Sequence, residues 1–153
     1  MNIKQLNQHL TQLKIKARPH YPEYAIVPSK HTDKNANGLE KAIVAYLQSE
    51  GWQAERVKTM GRMITIKGPE DQLFNRNFDQ QKYIPGSGTK GSSDISATIK
   101  GRSVKIEVKI GKDRQSEYQI KYQKDIEKAG GVYVIAKDFE TWHSWYVSFI
   151  SSI

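Results

Sequence analysis

Asp94-Ile95-Ser96-Ala97-Thr98-Ile99-Lys100-Gly101-Arg102-Ser103-Val104-Lys105-Ile106-Glu107-Val108-Lys109 is the stretch whose pattern decides the fold. Ile95, Ala97 and Ile99 alternate with polar residues, Lys100-Gly101 interrupts the alternation, and Val104, Ile106 and Val108 resume it. That is the pattern of two half-buried strands joined by a tight turn. With Lys100 and Gly101 as the turn residues, Ile99 faces Arg102, and the register runs on until Asp94 lies opposite Glu107. Side chains alternate between faces, so Lys105, Glu107 and Lys109 share the face of Asp94, while Val104, Ile106 and Val108 take the other. A bulged three-residue turn would displace this register by one. Directly opposed β-carbons are about 4.5–5.5 Å apart, and like charges placed there destabilise a sheet. A divalent cation between the two carboxylates would supply the missing compensation, since Mg²⁺ takes one or two carboxylates together with waters and phosphate oxygens. The alternative is a solvated sheet face carrying a Lys105/Glu107/Lys109 charge ladder.

Outward from this hairpin, Gln115 to Ala129 reads as a helix with Tyr118, Tyr122, Ile126 and Ala129 on one stripe. Gly130-Gly131 ends it, Val132 to Ala136 is a short apolar strand, and an aromatic helix opens at Asp138. Its Phe139, Trp142, Trp145, Tyr146, Phe149 and Ile150 are read as core. On the other side, residues 68–93 are the least regular part, with Pro69, Pro85 and the run Gly86-Ser87-Gly88-Thr89-Lys90-Gly91-Ser92-Ser93. A phosphate-binding P-loop would need Lys after its last glycine, and Ser92 stands there instead. Gln53 to Lys67 reads as two strands with a turn at Gly61. Gly38 to Glu50 reads as a helix with Leu39, Ile43, Tyr46 and Leu47 on its apolar face and Glu40 in its first turn, where a carboxylate complements the helix dipole.

Ile3, Leu6, Leu10 and Leu13 mark a first amphipathic helix. Arg18 to Asn37 follows as an extended arm, ordered by Tyr21, Tyr24, Ile26 and Val27. Residues 1–37 hold six Lys/Arg and two acids, which makes this segment a DNA-facing arm or a solvated one. The expected organisation is a single globular domain overall, with an N-terminal helix and extended arm over 1–37 and the main body over 38–153.

The chain has 153 residues, 24 Lys plus Arg, 16 Asp plus Glu and no cysteine. Its formal charge of +8 favours a polyanionic partner. The missing cysteine removes disulfides, thiolate metal sites and cysteine nucleophiles. His9, His20, His31 and His143 are dispersed without the spacing of a zinc site, and no G-x-S-x-G elbow is present. No apolar run approaches the roughly 18 residues of a membrane span, and the first residues lack the apolar centre of a signal peptide. The expectation is a cytoplasmic protein with no membrane partner. Lys90, Lys105, Lys112, Arg114, Lys121 and Lys124 could rim a phosphate-binding surface, or lie on an ordinary charged one.

Three pieces occur in a telling order: Gly91-Ser92-Ser93-Asp94, Glu107-Val108-Lys109 and Ser116-Glu117-Tyr118-Gln119. Together they resemble the PD-(D/E)xK nuclease superfamily, and within it the VRR-NUC branch, related to Holliday-junction resolvases, whose pattern reads roughly G-x-x-D, E-x-K, S-x-x-Q. The likeness spans about Gly38 to Ala136, and Ser93 replaces the proline of the name motif. The resemblance implies an α/β fold with a restriction-endonuclease-like core, a central mixed sheet flanked by helices. The N-terminal helix and arm and the C-terminal aromatic helix would be additions to it. It implies a Mg²⁺- or Mn²⁺-dependent phosphodiesterase in which Asp94 and Glu107 are metal ligands and the Val108 carbonyl is a third. Lys109 would be the catalytic lysine, Gln119 would reach the site from its helix, and Glu40 would complete the metal set. The expected function is a DNA endonuclease leaving a 5′-phosphate, acting on branched or flapped DNA, with a homodimer compatible with paired nicks. The alternatives are a non-catalytic nucleic-acid-binding module that keeps the fold, and an interaction protein docking through its terminal helices.

Overall fold

The computed structural model describes residues 1–57, 61–68, 70–71, 76–77, 79–84 and 88–153. In chain order the elements are α1 (Ile3–Lys16), a 3₁₀ turn (Glu23–Ala25), α2 (Ala36–Ser49), β1 (Gln53–Arg56), β2 (Arg62–Ile66), β3 (Glu70–Asp71), β4 (Arg76–Asn77), β5 (Gln80–Ile84), β6 (Ile95–Ile99), β7 (Arg102–Val108), α3 (Glu117–Lys128), β8 (Val132–Ala136) and α4 (Phe139–Ser152).

The β6–β7 hairpin has the expected register, from Ile95 opposite Ile106 to Ile99 opposite Arg102. Lys100 and Gly101 both take positive φ, 46° and 76°, as a two-residue hairpin turn matching the strand twist requires. β1 pairs antiparallel with β6, and β8 pairs parallel with β7, giving a four-stranded mixed sheet in the order β1-β6-β7-β8. The parallel pair needs a crossover, and α3 provides it.

One face of this sheet is the core. Ile95, Ala97, Ile99, Val104, Ile106 and Val108 are buried there with Leu39, Ala42, Ile43, Tyr46 and Leu47 of α2 and Phe139, Trp142 and Tyr146 of α4. Leu6 and Leu10 of α1 join the same cluster, so the first helix shares the core of the rest of the chain. Tyr46 makes edge-on contacts with Phe139, Trp142 and Tyr146, an arrangement that suits aromatic quadrupoles. α3 buries no residue completely and lies with the polar side of the sheet, which leaves room for a site between them.

Several expectations are corrected. α2 starts at Ala36, because the Asn35 side chain caps it by accepting the Gly38 N–H at 2.8 Å. Glu40 therefore sits two residues further in than the sequence suggested, past the first turn. β1 and β2 do not pair with each other. β1 belongs to the main sheet, whereas β2 pairs with β5 in a separate two-stranded ribbon. β5 was not expected, since every residue in it is exposed and it has no alternating apolar pattern to announce it. Met60 and Pro85 lie outside the described residues. In the arm, Ile26 is buried, but Tyr21, Tyr24 and Val27 are exposed. The arm is held to α1 instead by polar bonds: Asn7 accepts the His31 N–H at 2.6 Å and donates to the His31 carbonyl at 3.0 Å. Among the described residues, no helix is long and apolar enough to cross a membrane.

Candidate functional site

The polar face of the β6–β7 hairpin gathers the acids that the register places together. Asp94 precedes β6 at the end of the sheet. Its carbonyl accepts the Val57 N–H, and its carboxylate accepts the Val108 N–H, both at 2.8 Å. Glu107 is 1% exposed, an unusual place for a carboxylate. Three donors address it: the Lys109 ammonium at 3.1 Å, the Tyr133 hydroxyl at 3.3 Å and the Gln119 amide on Oε1.

Gln119 owes its orientation to the start of α3. The Ser116 hydroxyl accepts the Gln119 backbone N–H at 3.4 Å, and the Gln119 side-chain oxygen accepts the Ser116 N–H at 2.9 Å. This capping box secures the amide oxygen at the helix N-terminus, so the amide NH₂ is the end left to donate to Glu107. The S-x-x-Q spacing thus has a physical reason. It caps the helix and aims the donor with one side chain.

Burial pushes the Glu107 carboxyl up to about 7, and the neighbouring Asp94 charge adds to the rise against the opposing pull of Lys109 and Tyr133. For Lys109, burial opposes the ammonium, but its hydrogen bond and attraction to Glu107, with Asp113 behind at 3.4 Å, outweigh that and raise its pKa. Burial and the adjacent Glu107 charge likewise push the Tyr133 hydroxyl upward.

These residues fit a hard divalent cation. The Asp94 carboxylate is bonded to the N–H of the residue after Glu107, near enough for its charge to raise the Glu107 carboxyl, and the single Lys109 ammonium does not bring Glu107 back to the ordinary carboxylate range. Among the described residues, no group of three His, Cys, Asp or Glu comes together, so two protein carboxylates would share the ion with waters and phosphate oxygens. Glu40 is placed apart from this pair. Its carboxylate accepts from Arg56 Nε at 2.6 Å and meets Nη2 at 2.5 Å. Arg56 is the cross-strand partner of Ile95 and shares its face of the sheet, the face that α2 packs on, so Arg56 meets Glu40 on that side.

The expected rim is dispersed. Lys112 and Arg114 are exposed after β7, and Lys121 is exposed on α3 with Lys124. Lys90 lies over the Tyr118 ring, its ammonium 3.8 Å from the centroid. Lys105 is half-buried and donates to the Ser96 hydroxyl at 2.6 Å. Sequence reading missed Tyr133, Asp113 and Arg56. Tyr133 could have been found, because a strand laid parallel to β7 with Tyr133 beside Lys105 shares that residue's face. Arg56 and Asp113 carry no such signal. The chain was compared with protein-family models, curated proteins and solved structures, and none matches it.

Proposed function

We propose that this chain is a metal-dependent DNA endonuclease built on a restriction-endonuclease-like core. The observation that carries the reading is Glu107: a buried carboxylate beside Asp94, contacted by Lys109 and by a glutamine whose helix cap aims it. Such an arrangement costs stability, and sites that bind or react are where proteins retain such costs. A Mg²⁺ or Mn²⁺ ion held by Asp94 and Glu107, with the Val108 carbonyl available as a third ligand, would supply an acidified water and neutralise phosphate charge.

The chain's own residues do the rest. Lys109, kept protonated by Glu107 and Asp113, is a hydrogen-bond donor and a positive charge for a phosphate oxygen or the attacking water, rather than a proton acceptor. Gln119 and Tyr133 fix the Glu107 carboxylate, so its free lone pairs keep one direction. Lys90, Lys112, Arg114 and Lys121 supply exposed positive charge for the flanking phosphates.

The test is cleavage of labelled single-stranded, duplex, flap and four-way-junction DNA with Mn²⁺ or EDTA, beside Asp94→Asn and Lys109→Ala. The reading expects metal-dependent cutting that falls by on the order of a hundredfold or more in both variants. Cutting that survives both substitutions overturns it. No cutting, with salt-sensitive binding retained, would make the chain a non-catalytic nucleic-acid-binding module.

A further inference from the structure

Beside the acids lies a second cleft whose aromatic ring the hydrolytic reading does not use. Thr89, Lys90, Tyr118, Lys121, Tyr122 and Asp125 line it, between the turn before Asp94 and the first turns of α3. The turn is closed by the Ser92 N–H donating to the Thr89 carbonyl at 3.1 Å. Gly91 holds φ at +83°, and a β-carbon built on it would lie 2.5 Å from the Tyr118 carbonyl carbon. Glycine at this position is what lets the turn lie flat on the α3 backbone. The turn in turn brings the Lys90 ammonium over the Tyr118 ring.

Tyr118 is 52% exposed, although it is adjacent in the chain to Gln119, which touches Glu107. The inner wall continues to the acids by another route. Tyr122 meets Tyr133 edge-on at 6.4 Å, and the Tyr133 hydroxyl donates to Glu107.

We propose that this cleft holds an unpaired nucleotide of the DNA strand, its base stacked on Tyr118 and its phosphate between Lys90 and Lys121. The Lys90 ammonium covers one face of the Tyr118 ring, so the base stacks on the other, and a half-exposed ring sharing a cleft with two lysines matches the two parts of a nucleotide, a π-face and an anion. A base within an intact duplex has both faces covered by its neighbours, so only an unpaired one can use the ring. Asp125, on the remaining wall, repels phosphate and accepts from an exocyclic amine, which orients the nucleotide with its phosphate toward the lysines. This inference rests on the nuclease reading for its location beside the scissile bond, and it specifies the substrate: DNA with a single-stranded segment at the cut.

The experiment uses the full chain in EDTA, where nothing is cut. A single strand of about 12 nucleotides carrying 2-aminopurine, within the usual site size for such grooves, is titrated beside a blunt duplex of the same length. Wild type should quench the 2-aminopurine. Tyr118→Leu should lose the quench and weaken single-strand binding by roughly tenfold or more while changing duplex binding less than about twofold. Tyr118→Trp should retain both quench and affinity, and Lys121→Ala should weaken the single strand and flatten its salt dependence. Single-strand binding by Tyr118→Leu equal to wild type overturns the proposal. So does an equal loss for single strand and duplex, which is what a merely structural clamp on Lys90 would give. Because the readout needs no metal, a protein that never cuts but shows the Tyr118 pattern refutes the nuclease reading and leaves this one standing. Metal-dependent cutting unchanged by Tyr118→Leu, together with unchanged single-strand binding, refutes only the stacking site.

Discussion

Replacing Glu107 by glutamine should make the metal-free protein more stable, not less. The folded protein holds this carboxyl at about 7 against an ordinary 4.5, with burial the first cause and Asp94 the second. The folded state therefore binds the proton more tightly than the unfolded state. The stability associated with the protonated form is fully present below pH 4.5 and is lost as pH rises through about 7. At roughly 1.4 kcal/mol per pH unit, the ionised carboxylate costs about 3 kcal/mol at pH 8. Glu107→Gln keeps the shape, keeps an oxygen for the Gln119 amide and removes the charge, so most of that cost disappears. For a chain of this size the gain corresponds to roughly 6–12 °C in melting temperature. Thermal melts followed by circular dichroism in EDTA at pH 5, 6, 7 and 8 measure it. The variant should melt above wild type at pH 8, and the gap should close toward pH 5. Adding Mn²⁺ should raise wild type alone, since only wild type keeps both carboxylates. A variant that melts below wild type at pH 8, or a gap that does not change with pH, refutes the reasoning.

Further outcomes follow from two of the turns and from Glu40. Gly91→Ala should destabilise by about 1–3 kcal/mol in urea unfolding, because it combines a positive φ with overlap on the Tyr118 backbone. Gly101→Ala, at φ +76° with nothing within 4 Å, should show the backbone strain alone and cost less. Glu40→Gln should cost no more than about 1 kcal/mol, as its partly exposed pair with Arg56 implies. Calorimetric titration should leave its Mn²⁺ affinity within about threefold of wild type, while Asp94→Asn loses at least about tenfold. Equal losses would instead make Glu40 a ligand that leaves Arg56 when metal binds.

The hairpin was legible because its two constraints are local. A two-residue turn sets the register, and strict alternation sets which side chains face the core. Extending that register by one residue is what sets Asp94 opposite Glu107. The β2–β5 ribbon was not legible. Its pairing spans the irregular stretch between the strands, and β5 has no buried side for periodicity to report. What the α3 stripe meets was not legible for a related reason. Tyr118, Tyr122 and Ile126 recur at helical spacing, yet the helix lies with the polar side of the sheet, where Tyr118 stays half exposed and Tyr122 turns to Tyr133. Helical period says that one side of a helix is apolar, not that the core is what it meets. The partners of Glu107 divide in the same way: Lys109 is two residues along the strand, whereas Gln119 and Tyr133 arrive through a crossover that spacing alone does not describe.

The most direct test of the central claim is the Mn²⁺-dependent cleavage rate of flap DNA by wild type and Glu107→Gln, each first shown to be folded and to bind the same DNA in EDTA. The account predicts that the more stable variant binds DNA normally and cuts at least about a hundredfold more slowly. Equal rates from the two proteins would contradict it, because Glu107 would then be a buried carboxylate with no part in the chemistry.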